Sequence, residues 1–177
     1  MNACLIRHTR VNVATGVCYG RMDVGLADGF AAEAETVRRA LPWEPEEIWT
    51  SPLTRCRMLA ERLATGRIAM REDERLMELN FGEWEGRRWE TFRGPESEAW
   101  ASDPWGRRPP GGETGLELWA RVASVRREVL ARATERRVAV VTHAGVIRVW
   151  RALAAGGSPG GGVFDARVGY GEITPAG

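Results

Sequence analysis

The chain holds two histidines, His8 and His143, and each ends an apolar run abruptly. His8 stands in "LIRHTR" (5–10) behind Arg7, and His143 in "VVTHAG" (140–145). A neutral imidazole is a competent nucleophile when a hydrogen bond from its other nitrogen holds it in one tautomer. An adjacent guanidinium suits a phosphoryl group, because its planar fork meets the charged oxygens of the transferring group. Arg55, about one turn into the helix expected after the second strand, can send its side chain back to the same place. The first turn of such a helix also offers free N–H groups to an anion. His143 can donate to a phosphate oxygen. A departing alkoxide needs a proton as well, and Glu78 in "RLMELNFGEWEG" (75–86) is the candidate general acid. Such a group is worth on the order of 10²–10⁴ in rate. Glu83 and Glu85 stand nearby, and spacing alone does not exclude them. The set describes a phosphate pocket made without a metal, and no cofactor is expected.

Positioning these residues requires elements that end together. "ACLIRHT" reads as a short strand ending at Arg7-His8. Phe30, Ala34, Val37 and Leu41 recur at helical spacing over about 28–41, with Asp28 as N-cap and Pro42 as the stop. "EEIWTS" (46–51) is a second strand. A helix over 51–64 follows, with Ser51 capping, Pro52 in its first turn, and Leu53, Cys56, Leu59 and Leu63 as its apolar stripe. A strand is expected over 67–72. Residues 80–112 carry Gly, Pro and four tryptophans with little periodicity, and read as short helices in a long insertion. Thr114-Gly-Leu-Glu117 is a capping-box pattern opening a helix to about 133. "RVAVVTHAG" (137–145) is the most hydrophobic strand, and the helix after it stops at Gly156-Gly157. Two short strands, near 163–169 and 171–174, finish the sheet.

Alternating strands and helices predict a three-layer α/β/α sandwich with a mainly parallel central sheet, organised as one domain over 1–177. Ligands in such folds sit at the carboxyl ends of the strands. Arg7-His8, Thr50-Ser51 and Thr142-His143 all lie just past such ends, so both histidines belong to one rim.

A net charge of +1 supplies no bulk field for nucleic acid or an anionic membrane. Every one of the 25 Lys-or-Arg positions is arginine, the side chain that grips phosphate bidentately. Cys4, Cys18 and Cys56 form no CxxC and are odd in number, which argues for a reducing compartment and against a disulfide framework or zinc site. They read as small packing residues. No apolar run reaches membrane-spanning length and the N-terminus lacks a continuous apolar segment, so a cytoplasmic location is expected. The expected partner is a small-molecule phosphate monoester, with no nucleic acid and no membrane; a homodimer is compatible with the sequence.

At these residues the sequence resembles the histidine phosphatase superfamily, the phosphoglycerate-mutase-like group. "LIRHTR", "CYGRMDVGLAD", "SPLTRC", "ELNFGEWEG", "PPGGET" and "VVTHAGVIR" occur in order from residue 5 to about 150. The resemblance implies that His8 becomes phosphohistidine, that Arg7, Arg55 and His143 bind the phosphoryl group, and that Glu78 is the proton donor. Thr9, Tyr19 and Gly20 are then candidate substrate contacts. Thr9 and Arg10 stand where the family usually has glycine and an acidic residue, and Ala14 where it commonly has asparagine. "RHTR…CYGRMD…LAD" is similar instead to the bacterial α-ribazole phosphatase subgroup, which implies α-ribazole 5′-phosphate as substrate in the assembly of cobalamin. A broad phosphatase of sugar or nucleotide monoesters is the alternative; a mutase and a non-catalytic phosphate-binding module rank below it. Trp84, Trp89, Trp100 and Trp105 either pack the insertion or wall a flat heterocycle.

Overall fold

The computed structural model describes residues 2–66, 68–92 and 94–177. The chain runs β1 (Ala3–Arg7), α1 (Phe30–Ala40), β2 (Glu47–Thr50), α2 (Thr54–Leu63), β3 (Ala69–Glu72), α3 (Pro95–Ser102), α4 (Gly115–Arg132), β4 (Val138–Thr142), α5 (Ala144–Ala154) and β5 (Ile173–Pro175). Successive side chains of a strand point to opposite faces, and here each face has its own core. Ala3 and Leu5 of β1, Trp49 of β2, and Val138 and Val140 of β4 enter one core. Cys4, Ile6, Ile48, Ala139 and Val141 enter the other. Burial on both faces is why these strands read as nearly continuous apolar runs.

Helices α1 and α2 cover one face through Ala34, Val37, Cys56, Leu59 and Leu63. Helices α4 and α5 cover the other through Leu118, Val122, Val125, Val129, Ile147 and Trp150. Each such large side chain contributes about 1.5–3 kcal/mol on burial. The result is the expected three-layer sandwich, with strand order β3-β2-β4-β1-β5. Strands β1 to β4 are parallel, and β5 pairs antiparallel with β1. Arg7 lies opposite Thr142, and Thr50 opposite Val141, so three carboxyl ends finish level. Among the described residues no helix is long and apolar enough to cross a membrane.

Several boundaries differ from the sequence expectation. Helix α1 enters through Gly29 at φ 88°, a left-handed conformation glycine adopts without penalty, and Asp28 makes no cap. Helix α2 starts at Thr54, so Ser51 and Pro52 precede it. Its free N–H and hydroxyl at Thr54 are met by the Asp23 carboxylate, at 2.9 and 2.7 Å, from a loop 31 positions away. The strand expected over 67–72 is seen from Ala69, and Arg67 lies outside the described residues. The insertion folds as 3-10 turns at Gly82–Trp84 and Trp89–Thr91 followed by α3. Residues 163–169 form no strand: 163–165 lie in a turn and 167–169 are irregular, with Phe164 stacked on Trp105 at 4.7 Å.

Candidate active site

The rim made by the ends of β1, β2 and β4 holds both histidines. His8 continues the β1 ladder, its backbone N–H donating to Thr142 O at 3.0 Å. Its ring Nδ1 lies 2.7 Å from Thr9 O. A carbonyl can only accept, so Nδ1 carries the proton and Nε2 keeps its lone pair. Burial, then the Arg55 charge, and further Arg7, pushes its pKa down to about 3 against the opposing Thr9 bond, so the ring is neutral at ordinary pH. His143 follows β4 as the N-cap of α5, with its ring centroid 5.2 Å from that of His8. Its Nε2 is 2.8 Å from Ser51 Oγ and 3.4 Å from Cys56 Sγ. Burial and the charge on Arg55 hold it well below the usual histidine range.

Two guanidiniums face these rings. Arg55, the second residue of α2, is 0% exposed and donates to the carbonyls of Met22 (2.9 Å) and Gly20 (2.6 Å), while its Nε has no partner. Arg7 donates to Val168 O at 2.6 Å, lies 3.8 Å under the ring of Tyr170, and also has an unpartnered Nε. Neither forms an ion pair among the described residues. A buried cation without a carboxylate is costly on its own, and an anion offsets that cost. Among the described residues no three His, Cys, Asp or Glu side chains converge as a metal site.

Glu78 reaches the same rim from the loop after β3. Its Oε2 accepts from Gly145 N in the first turn of α5 (3.1 Å), and its Oε1 from Leu79 N (3.0 Å). The structure separates it from the neighbours that spacing left open. Glu85 is occupied by the backbone N–H groups of Arg21, Met22 and Phe81, at 2.8, 2.5 and 2.9 Å. Glu83 is exposed in the turn Gly82–Trp84. His8, His143, Arg7, Arg55 and Glu78 are therefore brought together.

The remaining candidates take different places. The Thr9 carbonyl touches His8, while its buried side chain lines a cleft of about 170 Å³ against α1, beside Glu33 and Val37. Arg10 turns to the same helix and pairs with Glu33 at 2.6 Å. Gly20 contributes its carbonyl to Arg55, and a Cβ there would strike Leu79 O and Phe81, so the backbone approach requires glycine. Tyr19 lies with its ring 5.3 Å from the Arg55 guanidinium and its hydroxyl 3.1 Å from that of Tyr170. Tyr170, whose ring centroid is 5.6 Å from that of His8, was missed in the sequence. The one available signal was rarity: the chain has two tyrosines, and they meet here. A cleft of about 450 Å³ opens beside this pair, walled by Val11, Val13, Val17 and Ala27.

The tryptophans of the insertion mostly pack on aromatics. Trp84 stacks on Phe92 and meets Trp100 edge-on, Trp89 meets Phe81, and Trp105 lies between Phe164 and Trp119. A cleft of about 490 Å³ beside Trp84 and Trp100 shares no lining residue with the histidine rim. The Cys-x₅-Arg spacing of thiol phosphatases occurs at Cys4–Arg10 and Cys56–Arg62, yet Cys4 lies inside β1 and Cys56 inside α2. Burial pushes the Cys4 thiol up to about 12 and raises that of Cys56 as well, so neither supplies a thiolate.

No curated protein matches the chain in sequence. Among solved structures, TTHB049 from Thermus thermophilus is 33% identical, with a TM-score of 0.68 over 86% of this chain and 85% of that one. A mycobacterial glucosyl-3-phosphoglycerate phosphatase is 25% identical, with a TM-score of 0.73 over 85% of this chain and 77% of that one. The α-ribazole phosphatase of Shigella flexneri shares the fold, with a TM-score of 0.86 at 22% identity over 98% of this chain and 88% of that one. The model of the histidine phosphatase superfamily (branch 1) matches residues 3–174, and the chain belongs to that family.

Proposed function

We propose that the protein is a phosphomonoesterase that works through a phosphohistidine on His8 and meets phosphoryl charge with arginine rather than metal. The observation that carries this reading is the Nδ1 bond to Thr9 O, which leaves Nε2 of a buried neutral ring to face two guanidiniums that have no carboxylate partner among the described residues. In the first step Nε2 attacks phosphorus in line as the ester P–O bond breaks, and protonated Glu78 gives its proton to the departing oxygen. Water then attacks the phosphohistidine, Glu78 takes its proton, and His8 is restored with release of phosphate. Arg7, Arg55 and His143 hold the equatorial oxygens, whose charge must be met throughout transfer. Phosphate monoester hydrolysis needs accelerations up to about 10²¹, so fixed charges aimed at the transition state carry most of the task.

The leading substrate is α-ribazole 5′-phosphate, which would place the enzyme in cobalamin assembly. The segments "RHTR", "CYGRMD" and "LAD" support it, as does the cleft beside Tyr19 and Tyr170, whose valine walls suit a flat apolar heterocycle. A phosphatase of sugar or nucleotide monoesters is the second reading, favoured by the likeness to the glucosyl-3-phosphoglycerate enzyme. The test is turnover of α-ribazole 5′-phosphate against a panel of monoesters with chelator present, together with capture of an acid-labile phosphoryl group. Loss of both turnover and label in His8→Ala is expected. Turnover that persists in His8→Ala removes the phosphohistidine. A panel member that outruns α-ribazole phosphate removes the cobalamin reading alone.

A further inference from the structure

We propose that Arg121, fixed by Glu113 and assisted by Arg21, is a positioning residue for proton transfer; this rests on the reading of Glu78 as the proton donor. The 75–78 segment lies outside the strand ladders, so its carbonyls need other partners. Arg121, midway along α4, supplies them. It donates to Arg75 O at 2.7 Å and Met77 O at 2.6 Å through Nη1, and to Glu78 O at 3.0 Å through Nη2. Its remaining N–H groups go to Glu113, from Nε at 2.6 Å and from Nη2 at 2.9 Å. A guanidinium has five N–H donors, and here all five are used.

The clamp is held from two further sides. Arg21 donates through Nε to the same Glu78 carbonyl at 3.2 Å and through Nη2 to Glu113 at 3.2 Å. The carbonyl between, Leu76 O, accepts from Thr142 Oγ1 at 2.7 Å, one residue before His143. Every carbonyl from 75 to 78 is thus fixed by a side chain. The Arg121 and Glu113 side chains are only 13% and 11% exposed, so solvent screens the clamp little. The carboxylate of Glu78 accepts from two backbone N–H groups, those of Leu79 and Gly145, and its aim is set by the backbone that Arg121 pins. A general acid misplaced by about 1 Å loses on the order of 10² in rate.

A role confined to stability slows every substrate alike; a role in proton transfer slows poor leaving groups most. The experiment measures kcat and KM for p-nitrophenyl phosphate, whose phenolate leaves readily, and for phenyl phosphate, whose leaving oxygen needs the proton. Glu78→Gln sets the reference and is expected to slow phenyl phosphate at least tenfold more than p-nitrophenyl phosphate. Arg121→Met is expected to reproduce that selectivity in kcat/KM, which reports the step that expels the leaving group, at smaller amplitude, and Arg121→Lys to recover part of it. If Arg121→Met shows no cooperative melt, Arg21→Met, which leaves the Arg121–Glu113 pair whole, carries the same expectation at a few-fold. Arginine variants that slow both esters equally while Glu78→Gln discriminates overturn the clamp and leave Glu78 as donor. A Glu78→Gln that treats both esters alike overturns the donor reading and the clamp with it.

Discussion

Gly145 is helical by backbone, yet a Cβ there would run into Glu78 Oε1. Elsewhere in a helix, exchanging glycine for alanine stabilises by up to about 1 kcal/mol. Gly145→Ala therefore separates fold from chemistry: its melting temperature is expected to hold or rise, while kcat falls at least about tenfold as the carboxylate is pushed off its seat. A variant of full activity would show that Glu78 is not needed where the structure puts it. Tyr170 gives the complementary case. Its ring orients Arg7 from outside and is 43% exposed, so Tyr170→Ala is expected to leave the melt nearly unchanged. Loss of a cation–π contact of about 0.5–1 kcal/mol raises KM by roughly two- to fivefold. An unchanged KM would reduce Tyr170 to a bystander. That His8, Arg7, Arg55 and His143 share one rim was legible because each lies in a short motif at a strand end or helix start, whereas Glu78, in a loop, could not be told from Glu83 and Glu85 by spacing. Ser51, Tyr170 and Arg121 act through partners 43 to 163 positions away, which no local pattern encodes.

Among the elements, α4 shows what local chemistry can announce. Thr114 Oγ1 accepts from Glu117 N at 3.1 Å and Glu117 returns to Thr114 N at 2.8 Å, the capping box that the sequence spelled out. Thr114→Ala is expected to cost about 1 kcal/mol. For a chain of this size that lowers the melting temperature by about 2–4 °C, measured by thermal unfolding. No change would mean that the helix is held by its buried stripe alone. The doubly buried strands were equally plain, since period and apolar content agreed. The start of α2 was not, because its cap is Asp23, brought from another loop, while Ser51 turns to His143. Nor was the stretch 163–169, whose valine and phenylalanine pattern fits a strand. Phe164 instead serves the aromatic cluster around Trp105, and β1 takes Ile173–Pro175 as its edge partner.

At the scale of the molecule, two fully buried neutral histidines tie folding to pH. An unfolded histidine takes up a proton near pH 6.5, whereas folded His8 resists until about 3 and folded His143 until well below 6.5. Between these limits the unfolded chain binds more protons than the folded one, so stability rises with pH and is lost as pH falls below about 6.5. Each histidine contributes a slope of up to about 1.4 kcal/mol per pH unit. Carboxylates held low by backbone N–H bonds and then by arginine side chains, such as Glu46 (Arg137) and Glu172 (Gly169, then Arg151), have a reference value of 4.5 and act mainly below it, so the window from about 6.5 to 5 belongs to the histidines. Urea unfolding at pH 7, 6 and 5 is expected to show this loss, and His8→Asn to remove about half of the slope. Inorganic phosphate, bound by the folded state, should raise stability by about 2.7 kcal/mol at a hundredfold excess over its Kd. Its negative charge beside the rings also favours their protonation and should flatten the pH dependence. A stability that stays level from pH 7 to 5 without phosphate would mean that the two rings are not held neutral in the fold, and the nucleophile would then need another means of keeping its lone pair.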